Sequence, residues 1–462
     1  MTSAWLALPI AAAVLVAQGT QVAAASHSED CCIDLEQRLA ELEASVARKG
    51  NRALSLEVSG LVNQSVLYWD DGAESNAYIV TNENQPTRFR FIGSSKLDPV
   101  WEIGFRVELG IRVASSKRVN QLSPEGFDNG RYNGMVIRDS VWFVRNRDYG
   151  TIFVGTTFAA TDRIAGQNLT QTNSFATYNA VEDTGLGMFL RSATNGKLSR
   201  SDLTWRRIIG AGGDQPGESE RGFELVKYIS PTWNGFTGVA TWVADDFWET
   251  ALRYRGQHAG FDIMAGLGYL QLVQGSRSRS VCAAALFDAE GDDTSCRLLS
   301  GSVSALHQAT GLFLNIGASL TMDGLIDTTP RYLNSGVAND QVFVSGQAGI
   351  ERRWSSLGKS TLYGEFYRYD GGASTARLVG PTDSLNPIGA GDWAVWHSNV
   401  NIWGAGLAQG IDSAAMTLYL SYRHVEGSLL LRELEGRSAS GAIADAPIDD
   451  LDLVLTGAVI SF

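Results

Sequence analysis

The chain has 462 residues, 44% of them hydrophobic, with 50 glycines and 10 prolines, a composition that excludes a disordered polymer and suits many strands and turns. Its formal net charge is −13, from 50 acidic against 37 basic residues with no basic block, so nucleic acid has no electrostatic basis as a partner.

Residues 1–25 read as an export signal. An apolar run from Ala4 to Ala17 is followed by "QVAAAS", a small-x-small cleavage pattern ending near Ala25. The run is shorter than the roughly 20 apolar residues a spanning helix needs, and no other segment approaches that length. The mature chain is then either soluble outside the cytoplasm or a membrane barrel.

Within 26–50, the stretch "CCIDLEQRLAELEASVARK" (31–49) is the convincing helix. Cys32, Leu35, Leu39, Leu42 and Val46 follow the spacing of a coiled-coil seam. Two heptads are too few to hold chains together alone, so the segment is either a short coiled coil attached to a larger body or an amphipathic helix packed on that body. Adjacent Cys31 and Cys32 cannot readily bond each other; Cys282 and Cys296 more simply close a loop as a disulfide, because a zinc site would lack suitably spaced histidines.

After Gly50 the apolar period becomes two. Strands are predicted over 54–69, 87–95, 100–113, 136–146, 150–157, 222–230, 235–244, 246–256, 260–272, 299–308, 311–322, 341–353, 358–369, 399–409, 413–425 and 451–462. In "VWEIGFRVELGIRV" (100–113), Trp101, Ile103, Phe105, Val107, Leu109, Ile111 and Val113 alternate with Glu102, Gly104, Arg106, Glu108, Gly110 and Arg112. A dry core would bury those charges at several kcal/mol each. A wet lumen behind a lipid-facing wall would not.

Connections alternate in length: "KLDP", "RDY" and "GQHAG" are short, while 70–86, 114–135 and 158–221 are long. Short turns at one rim and long loops at the other belong to an antiparallel transmembrane β-barrel, expected over 51–462. Trp69, Tyr149, Trp233, Trp248 and Trp354, near strand ends, suit interfacial aromatic girdles. Residues 136–146 alternate poorly, with adjacent Arg138 and Asp139 expected on opposite faces. The acidic loop with Asp288, Glu290, Asp292 and Asp293 is either a solvated loop or a cation site.

Enzyme chemistry has little to stand on. His27, His258, His307, His397 and His424 are scattered without a metalloprotease or nucleophile-elbow motif, and Gly210, Gly212 and Gly213 open no helix. No cofactor is expected.

The runs "DLEQRLAELEASVARKGNRALSLEVSGLVNQSVLYWDDG", "TRFRFIG", "WVADDFWETALRYRG" and the terminal "VLTGAVISF" resemble the trimeric porins of alphaproteobacteria. The resemblance implies a 16-stranded barrel, a homotrimer in outer-membrane lipid and lipopolysaccharide, and passive diffusion of small hydrophilic solutes. It also implies that the third long loop, here 158–221, folds inward. In that reading Arg88, Arg90 and Arg106 line one wall with Glu102 and Glu108, and Arg253 and Arg255 line another strand. Asp162, Glu182 and Asp183 on the loop oppose them. The sign of ion preference stays open, and a substrate-specific channel or an envelope anchor remains the rival reading.

Overall fold

The computed structural model describes residues 54–462, apart from 127–133, 179, 202, 210–216, 220–222, 244–246, 274–294, 325, 327–330, 333–334 and 372–377. The export signal, the helix of 31–49, Cys31, Cys32 and Cys282 lie outside the described residues.

Among the described residues nineteen strands form one sheet: β1 Ser55–Asp70, β2 Ser75–Thr81, β3 Arg88–Lys96, β4 Trp101–Arg112, β5 Gly134–Asn146, β6 Gly150–Thr157, β7 Phe223–Ile229, β8 Phe236–Val243, β9 Phe247–His258, β10 Phe261–Val273, β11 Ser295–His307, β12 Leu312–Asp323, β13 Asp340–Ser355, β14 Gly358–Asp370, β15 Leu378–Val379, β16 Trp393–Ile411, β17 Met416–Glu435, β18 Ser438–Asp445 and β19 Leu451–Ser461. Sixteen of them make a closed antiparallel barrel; β2, β15 and β18 belong to long connections and pair with the upper ends of β1, β16 and β17. The ring closes where β1 pairs with β19, from Leu61 opposite Ser461 to Asp70 opposite Asp452. Closure satisfies the backbone groups that hydrocarbon cannot. Among the described residues no helix is long and apolar enough to cross a membrane; the crossing is made by strands.

The alternation of β4 is realised as expected. Trp101, Ile103 and Phe105 are 38, 38 and 37% exposed on the outer face, while Glu108, on the inner face, is 0% exposed. Tyr149, Trp233 and Trp354 stand exposed by the short turns, as a girdle requires. Trp69 does not. It lies on the inner face of β1 with Leu67 and is only 2% exposed, because the loops within the barrel cover the inward positions of that strand.

Two wall strands run longer than their sequence periodicity predicts. β16 begins at Trp393 and β17 continues to Glu435, where the alternation fails: the register shifts between Val395 and His397, and Leu429, Leu430 and Leu431 are consecutive. Those upper ends are buried beneath the outer loops. Tyr332 donates from its hydroxyl to the Val395 carbonyl at 2.8 Å, and burial pushes that hydroxyl up to about 12, so it stays a donor.

The poor alternation of 136–146 also has a cause. A β-bulge separates the Glu108–Asp139 pair from the Leu109–Ile137 pair, leaving Arg138 as the extra residue of β5. Arg138 and Asp139 are therefore both buried on the inner side, not on opposite faces. Cys296 is buried and disulfide-bonded.

Candidate functional site

The connection between β6 and β7 runs through the barrel interior, and its route can be followed bond by bond. Thr161 donates to Glu249 of β9 from its backbone N (2.7 Å) and its hydroxyl (2.9 Å). Gln167 N and Leu169 N donate to the Ser302 and Ser304 hydroxyls of β11 at 2.9 and 3.0 Å. Gln171 N reaches Glu351 of β13 at 2.7 Å, and the Ala176 carbonyl accepts from Gln347 at 2.7 Å. Asn82 then donates to the Phe175 carbonyl at 3.1 Å, so the loop has crossed to the far wall.

Two features allow this close approach. Gly266 and Gly268 of β10 leave room for the Ile164 side chain, and a Cβ on Gly317 of β12 would collide with the Ala165 carbonyl oxygen. The later part of the loop has a core of its own: Phe175, Leu186, Met188, Leu190, Leu203, Trp205 and Ile208 pack on Val425, Leu429, Leu451, Leu453 and Leu455 of the wall. The side of the barrel under β16, β17 and β19 is thereby filled. Deep in this loop, Tyr178 donates to the Gln167 carbonyl at 2.7 Å, and burial holds its hydroxyl above the usual value.

Further round the ring, past β19 and β1, β3, β4, β5 and residues 158–163 border a space of about 210 Å³ lined by Arg88, Arg90, Arg106, Glu108, Arg138, Asp139, Phe158, Asp162 and Arg163. Three guanidinium groups converge on Glu108: Arg90 at 2.5 Å, Arg138 at 2.6 Å and Arg88 at 3.7 Å. Arg106 pairs with Asp139 at 3.0 Å. Arg163 takes a left-handed backbone, φ 54°, which costs on the order of 1 kcal/mol for a residue with a Cβ, and its backbone N donates to Glu218 at 2.5 Å. Among the described residues, five cationic side chains thus share the space with three carboxylates, an excess of two positive charges in a chain whose total is −13.

Of the residues that the sequence singles out, the structure brings together Arg88, Arg90, Arg106, Glu108 and Asp162. Arg253 sits beside them, donating to the Ala160 and Asp162 carbonyls at 3.0 and 2.5 Å. Arg255 is exposed two positions nearer the short turn, and Glu102 lies near the same rim, paired with Arg145 at 2.9 Å. Glu182 and Asp183 do not face the arginines. They are buried elsewhere in the loop, 3.1 and 3.8 Å from Lys117. Arg138, Asp139 and Arg163 join the site without having been expected there; for the first two the adjacent charged pair inside a period-two segment is the signal the sequence offers.

A comparison with protein families matches residues 11–442 to the Gram-negative porin family. Among solved structures the chain is similar to the anion-selective porin from Comamonas acidovorans, with 13% identity, TM-score 0.51, and coverage of 88% of this chain and 100% of that one. It is also similar to Pseudomonas putida OprB, with 9% identity, TM-score 0.51, and coverage of 93% and 97%. These likenesses are of fold. Among curated proteins, none matches. With sixteen wall strands, an apolar outer face, a charged lumen and a family match over nearly its whole length, the chain belongs to the Gram-negative porin family and forms a water-filled outer-membrane channel for passive diffusion of small hydrophilic solutes and ions.

Proposed function

We propose that this porin is a homotrimer of the alphaproteobacterial type, seated among lipopolysaccharide and acting without bond chemistry. Its constriction lies between the arginines of β3, β4 and β5 and the first residues of the inserted loop. Arg88, Arg90, Arg106, Glu108, Asp162 and Arg253 set the field at that narrowing; Glu102 and Arg255 line the approach from the short-turn rim, and Glu182 and Asp183 brace the loop. Residues 1–25 direct export, and Cys282 closes its outer loop onto Cys296.

The observation that supports this reading is the local excess of two positive charges among the described residues that line this space. Selectivity follows the charge of the narrowest section rather than that of the whole chain, since fields from distant loops are screened within about 8–10 Å at physiological salt. Weak anion preference is the expected result. Planar-bilayer recording of the purified protein in a potassium chloride gradient tests it. Steps that close in threes, conductance linear in salt and an anion-favouring reversal potential are expected; a cation-favouring potential overturns the assignment of the constriction.

A further inference from the structure

We infer that the outer wall of β8–β12 carries a groove that binds one acyl chain of a glycerophospholipid from the periplasmic leaflet, back to back with the seat of the inserted loop.

Both faces of the wall are built from small residues at this place. Toward the bore, Gly266, Gly268 and Gly317 make way for Ile164 and Ala165 of the loop. Toward the outside, Gly301 of β11 stands opposite Ala318 of β12, and Ala265 of β10 lies opposite Val303, two residues along β11. A Cβ on Gly301 would lie 2.7 Å from the Gly266 carbonyl oxygen, so the chain cannot fill that point with a larger side chain of its own unless the wall shifts. The wall is little more than backbone here, and its outer face is dented.

Leu252, Leu267, Val303 and Ile316, all exposed, rise around the dent. The space they frame is about 460 Å³, and no charged side chain lines it. A methylene group fills much the same volume as a liquid water, roughly 30 Å³, so the dent takes on the order of fifteen carbons, the size of one acyl chain. Apolar character alone selects nothing in a membrane, because lipid tails are as apolar as leucine; shape does the selecting. An empty dent forfeits the dispersion contacts of its lining, whereas a chain laid into it touches protein on its floor and on both sides.

The groove is continuous with the lipid-facing belt, and its lower end shows which leaflet supplies the chain. Four residues down β10 from Ala265, roughly 13 Å along the strand, Phe261 pairs with His307 and their rings lie 4.7 Å apart at the short-turn rim. Trp233 stands exposed on the neighbouring short turn. Amphipathic rings at one level mark the headgroup zone. Short turns belong to the periplasmic side, so the headgroup of the bound lipid sits there and its chain rises into the dent.

The test uses the full-length barrel in vesicles of phosphatidylethanolamine and phosphatidylglycerol, doped with a phosphatidylethanolamine that carries a photoactivatable diazirine midway along one chain. After illumination, the label is mapped on proteolytic fragments. Labelling per exposed apolar residue is expected to be about threefold or more higher on β10–β12 than on β13–β17, the enrichment that a modest preference produces. Ala318→Leu fills the dent with a side chain that lipid tolerates and should bring β10–β12 down to the level of the other strands. Ala265→Leu fills it from the adjacent side and gives the same reading should Ala318→Leu fail to fold. Even labelling around the parent barrel, or enrichment that persists in a folded Ala265→Leu barrel, means ordinary boundary lipid and overturns the inference. Absence of label from β10–β12, with chemical crosslinks joining two chains there, means that a second copy covers the groove and overturns it as well. None of these outcomes bears on the constriction, which the reversal potential tests separately.

Discussion

Arg138 Nε donates to Glu108 Oε1 at 2.6 Å, and the two meet because β5 carries one extra residue opposite β4. Without the bulge, period two would place either Arg138 or Asp139 on the lipid face, where a charge near mid-membrane costs about 2–4 kcal/mol. Glu108→Ala leaves Arg138 buried without its carboxylate. The expected outcome is a loss of roughly 3 kcal/mol in barrel stability, measured by heat-induced mobility shift on gels, with a reversal potential moved further toward anions.

The inserted loop is seated on glycine. Gly317→Val puts a branched side chain against the Ala165 carbonyl, so the loop must move off β12 and into the remaining bore. Single-channel conductance should fall while the circular-dichroism signature of the barrel is kept. Unchanged conductance would show that the loop does not border the pore at that point.

A second brace is ionic. Arg423 of β17 donates to Glu365 of β14 at 2.7 Å and to the Val181 carbonyl of the loop at 3.3 Å, with both side chains buried. Arg423→Met strands a buried carboxylate and is expected to cost roughly 3–5 kcal/mol. Arg423→Met with Glu365→Gln should recover part of that loss, because the two effects are coupled. Limited proteolysis within 175–209 reads the loosening directly.

At the long-loop rim, Arg191 of the loop pairs with Asp71 at 2.8 Å. Burial pushes the Asp71 carboxyl up, but hydrogen bonds from Arg191 and Gln121 outweigh it and hold the group below its ordinary value of 3.8. A depressed folded-state value means that the stabilisation is fully present above pH 3.8 and is lost as pH falls through the lower folded value. Acid titration of heat stability should therefore show this contribution fading only below pH 3.8. In Asp71→Asn that acid-dependent step should shrink, with lower stability at neutral pH.

The outer wall makes its own prediction. Ile316 of β12 is exposed on the apolar face, so Ile316→Arg should lower folding stability in bilayers by about 2–4 kcal/mol, as read by denaturant titration in vesicles. Inward Asn315 is fully buried and bonds Ser304 and Asn168, so Asn315→Arg is expected to destabilise as well, by breaking those bonds and pushing the inserted loop off β12 rather than by meeting lipid, and the same titration should show the loss.

Much of the barrel was legible because period two is a local property. Alternation places Trp101, Ile103 and Phe105 outside and Glu108 inside without reference to any other strand, and connection lengths separate the two rims. Legibility failed where the period failed: at the bulge of β5, at the shifted register near Trp396, and in the leucine run of β17. Trp69 was misplaced for a related reason, since an aromatic at a strand end looks the same whether it points to lipid or to a buried loop.

The sequence by itself determined the fold class, the strand ends to within a few residues over most of the ring, and the common face of Arg88, Arg90, Arg106 and Glu108, since spacing within and between neighbouring strands dictates all of these. Only the tertiary structure decided which loop acid stands before that face. Asp162 joins the arginines while Glu182 and Asp183 turn to Lys117, because the path of an irregular loop across a bore is set by distant contacts, Thr161 with Glu249 and Ala165 over Gly317, that no local period encodes.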